Sequence, residues 1–132
     1  MEQLELSYSI HSRENLLRVR VAGEISVDGL IKFMNQIGAD ASYRRDMGVL
    51  VDFRQSTSFG QWDFSETQRY RDYLVRIGAA TKSRWAAIVR PGPVAAIWHV
   101  LIVISEAITS KTNMRMFEDA VLAKRWVIGE ID

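Results

Sequence analysis

The chain contains no cysteine. That excludes disulfides, thiolate metal sites and a cysteine nucleophile, and it fits a reducing cytoplasm. Histidine occurs only twice, as His11 and His99, and the two stand alone, far from any paired-histidine motif. A metal centre needs several ligands at convergent spacing, so no metal is expected. Charge of one sign is also missing. The formal net charge is +1, which gives no footing for nucleic acid or for an anionic membrane surface. Long apolar runs are absent too. The longest reaches from Val94 to Ile104 and is interrupted by His99, whereas a membrane-spanning helix needs roughly 20 apolar residues. The N-terminus, acidic and alternating from Met1 to Leu6, is not expected to be a signal peptide. There is no Gly-x-Ser-x-Gly elbow and no glycine-rich phosphate loop. Ser105, six residues after His99, lies on the wrong side of a helix to pair with it. No catalytic constellation and no cofactor site emerge, so the chain is expected not to be an enzyme.

What is present reads as an ordinary globular chain. Its 132 residues are 48% hydrophobic and 25% charged, which suits one domain over 1–132 with a packed core. Leu4, Leu6, Tyr8 and Ile10 alternate with Glu5, Ser7 and Ser9. Leu17, Val19 and Val21 alternate with Arg18 and Arg20. Both are half-buried strands with one wet face. The polar link from His11 to Asn15 is short enough to make them a hairpin. The period then changes. Ser26 is a candidate N-cap for a helix carrying Val27, Leu30, Ile31, Met34 and Ile37, with Gly38 as its stop.

Two short apolar runs, Val49–Arg54 and Trp85–Arg90, have no wet face before their polar ends. Such runs form strands buried on both sides, as in the middle of a parallel sheet. The stretch from Gln55 to Trp62 is a loop by composition. Asp63 with Glu66, or Ser65 with Gln68, forms a capping box for a second helix. Phe64, Tyr70, Leu74 and Ile77 line its inner face, and it ends near Gly78. The only two prolines, Pro91 and Pro93, flank Gly92. They break the second run, and Pro93 opens a third helix that reaches about Thr109. A last strand over 112–117 and a last helix follow. Glu118 and Asp119 favour the start of that helix, and Leu122, Ala123, Trp126 and Val127 give it an apolar face. The fold class is α/β: a mixed sheet of about five strands, an N-terminal antiparallel hairpin then parallel strands, with about four helices.

Several residues near the strand ends are candidates for chemistry. Asp52 could act as a base or orient a ligand; equally, it could cap a loop amide or pair with Arg54 or Arg90. Arg54 and Arg90 could reach one cleft, with Gly92 and the start of the Pro93 helix, and hold an anion. They could also be two solvated arginines. Positions 44–90 hold nine Lys or Arg and five Asp or Glu, a weakly basic stretch. Phe59, Trp62 and Phe64 could form a binding lip or fold back on the core. The Pro93 helix is apolar nearly all round, so something must bury it. A second copy of the chain packing on Trp98 and Ile102 would do so, which predicts a homodimer.

The order of elements resembles the STAS-like domain, and within it the bacterial branch described as sporulation stage II AA-like, related in structure to CRAL-TRIO lipid-binding domains. Gly23-Glu24-Ile25, Val49-Leu50-Val51-Asp52, Trp85 to Val89, Met116 to Asp119 and Ala123 to Trp126 carry the likeness. The resemblance implies a non-enzymatic regulatory or protein-interaction module in the cytoplasm. Its alternative implication is a carrier or sensor of a small apolar or amphiphilic ligand; an enzyme of unknown class is the third reading, and it would need a constellation the residues do not supply. Antagonists of this fold carry an Asp-Ser-Ser-Gly type motif whose serine accepts phosphate. Here Arg54 to Gly60 supplies Ser56, Thr57 and Ser58 but not the motif. The phosphoacceptor role therefore does not carry over. The expected binding set is Asp52, Arg54, Ser56, Ser58, Trp62, Arg90 and Gly92, with a protein partner or a small apolar or anionic ligand.

Overall fold

The computed structural model describes residues 3–58, 63–108 and 113–132, with backbone alone for residues 57 and 103–108. In chain order the elements are β1 (Glu5–His11), a short 3-10 turn (Ser12–Glu14), β2 (Leu16–Glu24), α1 (Val27–Gly38), β3 (Gly48–Ser58), α2 (Phe64–Ile77), β4 (Trp85–Ile88), α3 (Pro93–Ile108), β5 (Met114–Phe117) and α4 (Ala120–Val127). The strands form one sheet in the order β1-β2-β3-β4-β5. The β1–β2 pair is antiparallel and the other pairs are parallel. The α/β reading, the hairpin and the parallel pairing of the two apolar runs are all present.

Local signals explain most boundaries. Asn15 takes a left-handed conformation to turn β1 into β2, which asparagine tolerates better than most residues. Ser26 Oγ accepts from Gly29 N at 3.1 Å and starts α1. Asp63 accepts from Glu66 N at 2.9 Å and starts α2, so the first of the two capping alternatives holds. Gly78 ends α2 at φ 69°, a conformation that suits glycine. Asp119 accepts from Val121 N and Leu122 N and starts α4.

Alternation along the strands sorts side chains to two faces. One face presents Val21, Phe53, Ala87 and Met114 to α1, α2 and α3. The other presents Leu16, Leu50, Ala86 and Ile88 to Ala123, Trp126 and Val127 of α4. Leu50, Val49 and Ile88 are buried as expected, at 5%, 3% and 3% exposure. Gly48 opens β3 directly under α4; a Cβ there would lie 2.4 Å from Val127 Cγ1. Arg84 ties the far end of α4 to the sheet. Its guanidinium donates to the Trp126 carbonyl at 2.8 Å and to the Ile131 carbonyl at 2.7 Å, and it lies over the Trp126 ring.

Four expectations are corrected. Gln55 to Ser58 is strand, not loop, because β2 runs on to Glu24 and pairs with it through two register shifts. Paired backbone groups override polar composition there. Phe64 points outward, 69% exposed; as the first residue of α2 it precedes the turn whose inner face Tyr70, Tyr73 and Leu74 form. Leu122 is 43% exposed, and α4 buries Ala123, Trp126 and Val127 instead. Trp98, expected at a contact between copies, is 7% exposed within its own chain. It packs against Phe53 and Tyr70, with ring centroids 5.0 and 6.1 Å away.

Candidate functional site

Among the described residues, a concavity lies on each face of the sheet. On the three-helix face a cavity of about 590 Å³ lies between the sheet, α1, α2 and α3. Its floor includes Val19, Val51 and Trp85, all only half-buried although they sit in the sheet under a helical layer. Short side chains at the middle of that face leave space that a close-packed core would fill. The helix walls are aromatic. Trp98 stands edge-on to Tyr70, Tyr70 stacks on Tyr73 at 6.4 Å, and the Arg76 guanidinium lies over the Tyr73 ring at 5.5 Å. Tyr73 donates to Asn35 Oδ1 at 2.7 Å, and Tyr70 donates to Met34 Sδ at 3.3 Å. Burial raises both hydroxyls, Tyr70 far above the usual tyrosine range and Tyr73 less, so both stay protonated and act as donors. Arg45 also lines the cavity and donates to the Ile77 carbonyl at 2.6 Å at the end of α2. Arg45 and Arg76 form no ion pair among the described residues. The interior is therefore apolar, with two cations and a few polar donors at its margin. Volume and lining both fall in the range of small-molecule sites.

On the other face α4 covers β3, β4, β5 and the Leu16 end of β2, and leaves β1 and the rest of β2 bare. A groove of about 700 Å³ runs between α4 and that bare half. Two rows of side chains cross it: Ser9, Arg18 and Leu50, then Ser7, Arg20 and Asp52. Asp52 is held by Arg54, whose Nη2 donates to Oδ2 at 2.8 Å and whose Nε donates to Oδ1 at 3.0 Å. Burial alone would raise the Asp52 carboxyl. The side-chain and backbone bonds from Arg54 outweigh it and lower the pKa. Lys124 pairs with Glu14 at 2.9 Å and lowers its pKa likewise. Arg125 pairs with Glu130 at 3.5 Å. Arg20 donates to the neutral Gln55, and neither Arg20 nor Arg18 forms a close ion pair among the described residues, although Arg20 acts on Asp52 and Arg18 on Glu14 through space.

The expected binding set is dispersed. Asp52 and Arg54 share the groove; Arg90 and Gly92 are exposed beyond the end of β4 and do not line it. Ser56 donates to the Val21 carbonyl at 3.1 Å, and the Ser58 carbonyl accepts from Ile25 N at 3.0 Å. Both serines thus take part in the β2–β3 junction. Trp62 and Phe59 lie outside the described residues. Ile102 is half-buried against the core, while His99 and Val100 are exposed on α3. Sequence reasoning missed Val51, Tyr73 and Trp85 as cavity residues and Arg18 and Arg20 as groove residues. The arginines left a signal, two cations on the wet side of a short strand. The cavity left none, because its lining has ordinary core identity.

Among the described residues no group of three or more His, Asp or Glu could hold a metal ion, and no helix is long and apolar enough to cross a membrane. No family model matches the chain. No curated protein matches it either. Among solved structures it is similar to an uncharacterised protein of the DUF3478 family from Shewanella loihica PV-4, described as having a SpoIIAA-like fold. The identity is 14%, the TM-score is 0.59, and the match covers 96% of this chain and 97% of that one. At that identity the likeness concerns architecture, and the fold of this chain is SpoIIAA-like, of the STAS-like type.

Proposed function

We propose that residues 1–132 act as one non-enzymatic binding module, and that the interior cavity takes a small apolar or amphiphilic molecule. In this reading the chain carries or senses that molecule in the cytoplasm and passes its presence on through protein contacts. The observation that carries the reading is Val51. It lies on the middle strand, beneath helices, and is still only half-buried. Leaving apolar surface uncovered forfeits about 25 cal/mol for each Å², so a retained apolar void on the central strand favours a guest. The Arg45 and Arg76 guanidinium groups suit a polar or anionic end of that guest. Self-association through α3 is a separate part of the proposal. Of the two residues expected at that contact, Ile102 is the one that keeps accessible surface.

The test uses an anilinonaphthalene sulfonate dye, whose fluorescence rises in apolar sites. Wild-type protein should take it up at a saturable site. Val51→Trp, which fills the cavity from its floor, should abolish uptake while circular dichroism stays native. Native mass spectrometry of protein purified from its own host should show a bound small molecule. A folded wild type that takes up no dye, or a folded Val51→Trp that binds as much, refutes the reading. Sedimentation equilibrium of the wild type and Ile102→Glu decides self-association.

A further inference from the structure

We infer that the bare half of the sheet beside α4 is a docking surface for an extended acidic segment of a partner protein, with carboxylates at alternate positions and apolar residues between them. This builds on the interaction-module reading and concerns the face opposite the cavity.

Charge is the first argument. The groove is lined by Arg18, Arg20, Arg54, Lys124 and Arg125 against Glu14, Asp52 and Glu130. Each of those three carboxylates is already engaged, by Lys124, Arg54 and Arg125 respectively. Arg18 and Arg20 form no close ion pair among the described residues and feel Glu14 and Asp52 only through space, as secondary partners of carboxylates that Lys124 and Arg54 already hold. The whole chain carries only +1, so this surplus is local.

Spacing is the second argument. Arg18 and Arg20 are two residues apart on one strand and point to the same face, about 7 Å from one another. Alternate residues of an extended segment have the same repeat. Two carboxylates of such a segment can therefore each meet one guanidinium, which offers a planar fork to both oxygens. Ser7, directly opposite Arg20 on β1, adds a hydroxyl donor; Ser9, opposite Arg18, is hydrogen-bonded to His11 Nε2 at 2.9 Å. Apolar surface lies alongside: Val121, 67% exposed, and the half-buried Ala120 and Ile128 line the α4 side of the groove. It gives the residues between the carboxylates something to cover. Glu14, Asp52 and Glu130 stand within the same groove and would repel a continuous phosphodiester chain more than a segment with charges at every second position.

The probes are three short labelled peptides with alternating Glu-Leu, Lys-Leu and Ser-Leu, read by fluorescence anisotropy on the full chain. The Glu-Leu peptide should bind, and binding should weaken with salt. Arg18→Glu/Arg20→Glu should raise its Kd roughly tenfold or more. Lys32→Glu, on the exposed side of α1 over the other face, should leave it unchanged. Where the double reversal disturbs folding, Arg18→Gln/Arg20→Gln carries the same test. Absence of Glu-Leu binding, or binding indifferent to positions 18 and 20, overturns the inference. Equal binding of the Lys-Leu or Ser-Leu peptide overturns the acidic class and leaves a groove that accepts peptides. Dye uptake by the cavity is measured separately, so failure of either site is visible without the other.

Discussion

The face that carries α1, α2 and α3 and the face that carries α4 are built from alternate residues of the same strands, yet they solve burial differently. The three-helix face is apolar from β1 to β5 and carries three helices, but Val19 and Val51 are too short to fill the space beneath them and keep accessible surface. The eight residues of α4 roof three strands and the Leu16 end of β2, and there the packing is tight: Leu16 and Ala123 have no exposed surface. Where α4 stops, the strand residues turn to Ser7, Ser9, Arg18 and Arg20. A small dry core and an open polar shelf thus share one face, while the larger core opposite retains a void. Area covered is therefore a poor guide to packing quality. Both candidate sites arise where a helix layer and a sheet do not match in size.

The strongest way to break this contrast is to remove the anchor of the tight side. Trp126 is 4% exposed, packs with Phe117 at 5.7 Å between centroids, and lies beneath Arg84 and Arg115. Trp126→Ala should cost about 3–5 kcal/mol. That is a large part of a typical total stability of about 5–15 kcal/mol. The urea midpoint should fall steeply. A loss below about 1 kcal/mol would mean that α4 is held by its backbone links to Arg84 rather than by packing.

A finer comparison sits on adjacent residues of β3. Leu50 points to the tight side and is 5% exposed, whereas Val51 points to the void. Leu50→Ala should cost about 2–5 kcal/mol. Val51→Ala should cost about 1 kcal/mol, because part of its surface already lies outside close packing. Chemical denaturation of the two variants in parallel decides. Equal costs would mean that the cavity is filled in solution, by side-chain movement or by a tightly held guest.

Much of this architecture was legible in the residues. The alternation of Leu4 to Ile10 and Leu17 to Val21, the two unbroken apolar runs, and the signals at Ser26, Asp63, Gly78 and Pro93 each act over a few residues, and local chemistry determines them. What the residues did not reveal depends on partners distant in sequence. Gln55 to Ser58 is strand because β2 extends alongside it. Phe64 is exposed because of where its helix begins. The groove needs the knowledge that α4 stops short of β1 and most of β2, which no local pattern encodes. Arg54 and Arg90 were expected to share a cleft because both follow buried runs. β4 ends at Ile88, before Arg90, whereas β3 continues through Arg54 and holds its side chain against Asp52.

The smallest expected effect concerns that Asp52–Arg54 pair, and it tests whether the polar shelf stabilises the fold at all. The folded-state pKa of Asp52 lies below its ordinary value, so the pair's contribution is present above the normal carboxylate range and disappears as pH falls through the folded pKa. The side chains of Arg54 and Asp52 are 40% and 29% exposed, and solvent screens the interaction. Its contribution should stay under about 1 kcal/mol. Denaturant titrations of wild type and Asp52→Asn across pH should therefore differ most near neutrality, and the gap should close only as pH falls below the ordinary carboxylate range. Added salt should narrow the gap at neutral pH. A difference that persists unchanged at the acid end would assign the stabilisation to hydrogen-bond geometry rather than charge. The same variant probes the shelf in the other direction. Removing the carboxylate frees the Arg54 guanidinium beside Arg20, so the acidic peptide should bind Asp52→Asn more tightly than wild type. If it binds more weakly, Asp52 organises the groove and is not merely a competitor for its cations.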